Sequence, residues 1–317
     1  MEQALANVRS AVDSGVADAI LAAMFIMGRR FLRQVPIVTG LVLALAAACG
    51  VQRPLQAAEP PPKEDPVDPD VLRKIRKLIK GTLATDATER ETAWKALKDM
   101  ANLAVPGLVA LQRDKETTPE MRRSILIALG DTRDPRAGPA LVEMLAADDA
   151  RVRRDAARAI GDSGYRDAVP ALEKLAAKND EEETVRLFAA TAGARLGSEK
   201  ALECLAGLAQ SPRPEIRSRA VFALGKYGGV KQAPLLEKAL GDTDRDVRED
   251  AVAALRIVAK KEAWGSLVKA IGDTDYKVRN AAMDALRELT GQKIENDPAA
   301  WKAWWAKEEK KPEPAKE

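Results

Sequence analysis

Histidine is absent from this chain of 317 residues, and cysteine occurs only twice, at Cys49 and Cys204. Histidine is the commonest general base and the commonest protein ligand of zinc, iron and copper, so the usual residues for acid–base and metal catalysis are missing. The two cysteines have neither metal-ligand spacing nor the pattern of a disulfide framework. We therefore predict no enzyme activity, no catalytic residues, no metal and no cofactor, with Cys204 as a small buried side chain.

An excess of basic charge is also missing. Lys and Arg number 51 against 48 Asp and Glu. Residues 1–58 contain five basic and three acidic residues, which leaves 46 basic and 45 acidic residues in the rest of the chain. A protein that binds nucleic acid is expected to carry a basic excess. We therefore expect no nucleic-acid partner.

The first 48 residues have the pattern of a secretory signal peptide. Three arginines lie in Gly28–Arg33, and fourteen uncharged residues follow, from Val35 to Ala48. A basic segment, a short apolar segment and small residues at the end are typical of an export signal, and fourteen residues are too few to span a bilayer comfortably. The run Ala46-Ala47-Ala48-Cys49 resembles a bacterial lipobox, which implies that Cys49 is the acylated first residue of the mature protein. Ala46 stands where that family usually has Leu, so ordinary cleavage near Ala58 is the alternative.

The segments on either side of this signal have their own interpretations. Residues 1–26 precede a signal of conventional length, and we interpret them as an over-extended start, with Met24 or Met27 as the expected first residue. The alternative is a second apolar segment over residues 17–27. Residues 49–70 are rich in proline, which favours an extended chain, so we predict a stiff tether of about 60 Å.

A short phrase recurs six times in the rest of the chain: an apolar residue, an arginine and then an alanine-rich run. Its arginines are Arg122, Arg153, Arg186, Arg217, Arg248 and Arg279. Successive arginines are 31 to 33 residues apart, which is the spacing of a stacked array in which no repeat can bury its apolar face alone.

One repeat, residues 137–167, shows how each is built. Residues 137–146 have the periodicity of a short amphipathic helix. Asp148 and Asp149 follow in a turn and can cap the next helix. Val152, Ala156, Ala159 and Ile160 then form the apolar face of a second helix, and Gly161 is predicted to be its C-cap.

Corresponding repeats begin near Ala104, Ala137, Ala168, Ala201, Ala233 and Ala263, and a degenerate one with Arg90 precedes them. The helix–turn–helix unit, the aspartate-rich turn and the Val-Arg-x-x-Ala-Ala-x-Ala-Leu-Gly phrase resemble HEAT repeats, specifically the short bacterial HEAT-like repeats of the phycobilisome-lyase type. The resemblance implies an all-α fold, a right-handed α-solenoid of six to seven such repeats over residues 71–296. It also implies a protein that binds other proteins.

The repeated arginines flank the apolar face of the second helices. We interpret Arg122, Arg153, Arg186, Arg217, Arg248 and Arg279 as a structural ladder that reaches acidic turn residues of their own or a neighbouring repeat, as the resemblance implies. The turn residues in question are Asp148, Asp149, Asp244, Asp246, Asp273 and Asp275. The alternative is a basic stripe that binds phosphate or an acidic ligand. Binding surfaces vary between repeats whereas these arginines recur, which favours the ladder.

The variable positions lie one and five residues after each arginine, and the resemblance implies that second helices line the concave face. In the middle repeats these positions carry apolar side chains between charged ends. Such a cluster with a polar rim is typical of a partner-binding surface. The candidates for partner binding are Leu187, Thr191, Phe222, Arg158 and Arg154. The alternative is that irregular packing buries them, which we favour for the neighbouring Phe188.

The C-terminal segment is predicted to be a helix over residues 297–311, followed by a disordered tail at 312–317. Asp297-Pro298 is a helix-start signal, and Trp301, Trp304 and Trp305 share one face. We favour a helix that caps the open end of the last repeat over one that docks on a membrane surface.

These patterns predict an exported, lipid-anchored and monomeric scaffold that binds a partner protein of unknown identity and contacts a membrane only through Cys49. We expect it in the periplasm or cell envelope. The alternatives are an enzyme or small-molecule-handling protein related to bilin lyases, and a purely structural envelope component.

Overall fold

A computed structural model describes residues 67–100, 103–258 and 261–310. The predicted signal peptide, Cys49, most of the proline-rich tether and the C-terminal tail lie outside these ranges. Within them all regular secondary structure is helical, and no helix is long and apolar enough to cross a membrane.

The helices follow one another as pairs. In chain order they are α1 (Pro69–Gly81), α2 (Ala87–Met100), α3 (Val105–Arg113), α4 (Pro119–Thr132), α5 (Gly138–Glu143), α6 (Ala150–Ser163), α7 (Val169–Ala176), α8 (Glu183–Arg195), α9 (Glu199–Leu208), α10 (Pro214–Gly228), α11 (Ala233–Ala239), α12 (Arg245–Val258), α13 (Lys261–Ala270), α14 (Tyr276–Thr290) and α15 (Pro298–Glu308). The odd-numbered helices α1 to α13 are the first helices of seven repeats, and the even-numbered helices are the second helices. Short 3-10 turns at Pro135–Ala137, Arg166–Ala168 and Gly229–Gln232 lead into α5, α7 and α11.

Each second helix packs against the second helix of the next repeat, and each first helix packs against the second helix of its own repeat. The result is the two-layer, all-α array that the repeat period predicted. One continuous apolar core runs through it from Ile75 in α1 to Trp301 in α15. A core made of contacts between neighbours is the expected consequence of repeats that cannot bury their apolar faces alone.

Close contacts between glycine and alanine hold successive second helices together. A Cβ atom added to Gly225 would lie 2.4 Å from Cβ of Ala254 on the next second helix, and one added to Gly161 would lie 3.1 Å from Cβ of Ala192. The prediction that Gly161 caps α6 is therefore wrong. The C-cap is Gly164, at φ 78°, and Gly161 lies inside the helix, where the absence of a side chain lets α8 approach.

Helix α15 closes the last repeat with tryptophan side chains. Trp301 is fully buried, and its ring meets that of Trp304 edge-on at a centroid distance of 5.6 Å. Trp304 in turn lies 5.9 Å from the ring of Trp264 in α13. The tryptophan face thus packs on the array, as the capping interpretation requires.

Candidate functional site

The arginine of each second helix joins two structural features of the array. Arg153 donates from Nε and Nη2 to the Glu181 carboxylate of the following repeat, at 2.8 and 2.6 Å. Its Nη1 donates to the backbone carbonyls of Ala147 and Asp148 in its own turn. One guanidinium therefore closes the turn that precedes its helix and links that turn to the next repeat.

Arg217 and Arg248 repeat this arrangement with Asp242 and Asp273, each 25 residues further along the chain. The hydrogen bond from Arg153 lowers the pKa of Glu181 from its ordinary value, and the one from Arg217 lowers the pKa of Asp242. Both carboxyl groups are therefore charged at neutral pH.

Three of the six arginines lack this carboxylate partner. Position 25 after Arg122 holds Ala147, and position 25 after Arg186 holds Ser211, so neither arginine meets an acid there. Within the described ranges, Arg122 Nη2 donates to the Asp114 carbonyl alone, at 3.3 Å, and Arg122 Nε is buried without a hydrogen-bond partner. Arg279 belongs to the last repeat and donates to the carbonyls of Asp273 and Thr274 in its own turn.

The turn aspartates divide into two roles that the sequence pattern did not separate. Asp273 accepts a hydrogen bond from Arg248 of the preceding repeat. Asp275 instead caps α14 by accepting a hydrogen bond from the Lys277 amide. Asp149 caps α6 in the same way, by accepting from the Arg151 amide. The capping role follows from the free amides at a helix N-terminus.

A second row of contacts runs across the second helices, and sequence reasoning missed it. Arg123 donates to Asp155 on the next second helix at 2.6 Å, and Arg154 donates to the same carboxylate at 3.0 Å. Ser218 and Asp250 stand in the same relation, with an Oγ to Oδ2 distance of 2.5 Å. In α4 and α10 the residue after the motif arginine therefore contacts the next second helix.

This geometry corrects one predicted site residue. Leu187 is only 3% exposed and belongs to the core. It occupies the position that Arg123 and Ser218 hold in their own helices, where the side chain points towards the next second helix. An apolar side chain at that position is buried between helices, so Leu187 is not available to a partner.

The remaining candidates lie on one surface, which we name the second-helix face: the outward side chains of α6, α8, α10 and α12. Arg158 is exposed, and Thr191 and Arg154 are half-buried. Phe222 is 37% exposed in the middle of α10. Phe188 is half-buried, and the Arg154 guanidinium lies 5.8 Å from its ring centroid.

Among the residues that the structure describes, other reactive groups do not gather into a site. Cys204 is half-buried, and burial raises the pKa of its thiol, so the thiolate is disfavoured. In the part of the chain that the structure describes, no three Asp, Glu or Cys side chains are placed to hold a metal ion.

The sequence matches the family profile of HEAT repeats in four overlapping stretches, residues 75–161, 105–182, 145–224 and 175–256. Together they cover more than half of the chain. The chain belongs to the HEAT-repeat family. A search of curated proteins finds no related sequence.

Several solved structures are similar to this chain at low sequence identity. A chain from the structure of Kap95p bound to RanGDP matches with a TM-score of 0.52 and 13% identity, over 77% of this chain and 36% of that one. Importin beta matches with a TM-score of 0.47 and 17% identity, over 68% of this chain and 33% of that one. The complex of CpcE and CpcF of phycocyanin lyase from Nostoc sp. PCC7120 matches with a TM-score of 0.44 and 20% identity, over 80% of this chain and 99% of that chain. These likenesses concern the fold alone.

Proposed function

We propose that this HEAT-repeat protein is a non-enzymatic scaffold, exported and anchored by a lipid on Cys49, that binds a partner protein on its second-helix face. The observation that carries the binding proposal is Phe222, a large aromatic side chain that is 37% exposed on a helix packed between two others. Exposed aromatic side chains on a rigid support are the usual anchors of protein interfaces.

The backbone beneath Phe222 supports this role. Its neighbours Val221 and Ala223 are buried, and α10 packs against both α8 and α12. The backbone that carries the ring is therefore held in place, so the scaffold loses little backbone conformational entropy when a partner binds. Export and lipidation rest on the sequence pattern at residues 28–49.

The test of the binding site is affinity capture of tagged full-length protein from crosslinked native membranes. Phe222→Asp should abolish capture of the partner that the unchanged protein retains. Leu83→Asp is the matched control, because Leu83 is 44% exposed in the loop between α1 and α2, away from the second-helix face. Both variants should melt like the original protein. Capture that survives Phe222→Asp in a folded protein would remove this face as the site.

The test of the anchor is mass spectrometry of the mature N-terminus. A diacyl or triacyl modification on Cys49 is the expected result. An unmodified mature chain that begins near Glu59 would contradict the proposal.

A further inference from the structure

The charges around Phe222 indicate what the partner segment is made of. Arg219, Phe222 and Lys226 stand at positions i, i+3 and i+7 of α10, so they form one stripe with a cation one turn from the ring on each side. All three side chains are exposed.

Most other cations on the second-helix face form salt bridges, and these two form none with a described residue. Arg154 shares the Asp155 carboxylate with Arg123, and Arg195 pairs with Asp162. Arg219, Lys226 and Arg158 form no ion pair with any carboxylate in the described ranges. Lys226 lies 5.4 Å from the centroid of the Tyr227 ring, and Arg219 attracts Asp250 electrostatically, but no salt bridge to a described residue neutralises any of the three cations. Positive charge without a salt bridge beside an exposed aromatic ring is a recognition feature.

We infer that the second-helix face takes an acidic protein segment with one aromatic or branched apolar anchor, which packs on Phe222 while its carboxylates meet Arg219, Lys226 and Arg158. This inference rests on the proposed function and specifies the chemistry of the partner at that site.

The spacing of the helices sets the length of this segment. Arg158 lies on α6 and Phe222 on α10, two second helices apart. Packed helices are about 10 Å apart, so the two side chains are separated by about 20 Å, which an extended chain spans in about six residues. An acidic residue about six positions from the anchor would therefore reach Arg158.

Helix α12 limits how far the acidic partner segment can extend beyond Phe222. Glu249 and Asp250 follow on α12, half-buried beside the stripe, and neither forms a salt bridge with a described residue, although Arg219 attracts Asp250 electrostatically. They repel a carboxylate or a phosphate. An acidic segment therefore extends from Phe222 towards α6 and not towards α12, and a continuous phosphate backbone crossing all these helices is disfavoured.

The experiment measures fluorescence anisotropy of labelled probes titrated with the full-length protein. The main probe is a twelve-residue peptide with one tryptophan, flanking glutamates and a glutamate pair six residues away. The control probes are the same peptide with lysine for every glutamate, the same peptide with serine for tryptophan, and a twelve-nucleotide oligothymidylate.

The acidic tryptophan peptide should bind most tightly, and its affinity should fall as salt rises. The double variant Arg219→Glu, Lys226→Glu should weaken it by about tenfold or more, because both contacts change from attraction to repulsion. The double variant Arg166→Glu, Lys174→Glu is matched in charge and lies on exposed positions of the first-helix layer, so it should bind normally. Melting curves confirm that all variants are folded.

Equal binding of the lysine peptide, tighter binding of the oligonucleotide, no binding of any probe, or an unchanged affinity in the Arg219→Glu, Lys226→Glu variant would each overturn the inference. Its failure is distinguishable from failure of the proposed function. If Phe222→Asp abolishes capture from native membranes while Arg219→Glu, Lys226→Glu leaves capture intact, the second-helix face is the binding site but its partner segment is not acidic.

Discussion

Arg217 and Asp242 join two successive repeats through paired hydrogen bonds, from Nε to Oδ2 at 2.8 Å and from Nη2 to Oδ1 at 2.7 Å. Both side chains are only 15% exposed. The same guanidinium holds the carbonyls of Ser211 and Pro212 through Nη1. Repeats in this array are thus linked by a polar contact in addition to the apolar core, and that link can be tested by substitution.

Arg217→Ala should lower the free energy of unfolding by about 2–3 kcal/mol, because it leaves a half-buried carboxylate and two carbonyls without their donor. The control is Arg213→Ala, which removes an exposed pair with Glu215 and should leave the melting temperature unchanged. Chemical denaturation measures both. A loss for Arg217→Ala no larger than that for Arg213→Ala would show that the ladder does not stabilise the array.

The same pair predicts a pH dependence. Its hydrogen bond from Arg217 lowers the pKa of Asp242, so the unfolded chain binds the proton more readily. The stability it provides is therefore present above the unfolded pKa of about 3.9 and is lost as pH falls through the lower folded pKa. The difference in stability between the original protein and Asp242→Asn should shrink in acid. A constant difference from neutral pH to pH below the folded pKa would contradict this.

The gap in the ladder at Ala147 can be filled. Ala147→Asp places a carboxylate 25 residues after Arg122, whose Nε is buried without a partner, and should stabilise the protein by about 1 kcal/mol. Ser211→Asp fills the other gap but should destabilise, because Ser211 Oγ donates to the Glu183 carboxylate, which a second carboxylate would repel. Thermal melts of the two variants should move in opposite directions, and shifts of the same sign would contradict the assignment.

How much of this could be predicted from the sequence depends on whether a contact lies within one repeat. The period, the helix pairs and the apolar faces follow from residues close together in the chain. The aspartates at helix starts could be predicted for the same reason, since Asp149 caps a helix that begins at the next residue.

Contacts between repeats could not be assigned, because they depend on how far each repeat is rotated and shifted against the next. For this reason the sequence pattern predicts a cap at Gly161, although this residue is a packing position beside Ala192. The pattern also predicts a partner contact at Leu187, which the next helix buries. The signal that could have identified Leu187 is the recurrence of polar pairs 32 residues apart, Arg123 with Asp155 and Ser218 with Asp250, which marks the position after the motif arginine as a contact between helices.

Close packing of the second helices gives a further prediction. Gly225→Ala should destabilise by about 2–3 kcal/mol, because the new Cβ would lie 2.4 Å from Cβ of Ala254 and 2.6 Å from its Cα. Gly207→Ala is the control: a helical glycine with no heavy atom within 4 Å of the added Cβ, so alanine should stabilise by about 0.5–1 kcal/mol. Equal effects of the two substitutions would contradict the packing geometry.

Asp250 and Asp155 occupy equivalent positions in their helices, but substitution by asparagine should change the stability of the protein in opposite directions at the two positions. Burial raises the pKa of Asp250, so the charged carboxylate lowers the stability of the folded protein at pH 7. Asp250→Asn should therefore stabilise the protein at pH 7. This gain should vanish in acid, where Asp250 is protonated in both the folded and the unfolded state. Asp155→Asn should destabilise at pH 7, because Arg123 and Arg154 lose their shared carboxylate. Melting temperatures across the pH range measure both effects, and a higher melting temperature for Asp155→Asn at pH 7 would contradict a stabilising role for the Asp155 carboxylate.

Photo-crosslinking in native membranes, with p-benzoylphenylalanine at position 222, tests directly whether the second-helix face binds a partner. We expect one dominant protein adduct from this position and none from the same group at Lys174, which is exposed on α7 in the first-helix layer. No adduct from position 222, or the same adduct in equal yield from position 174, would contradict a partner site on the second-helix face.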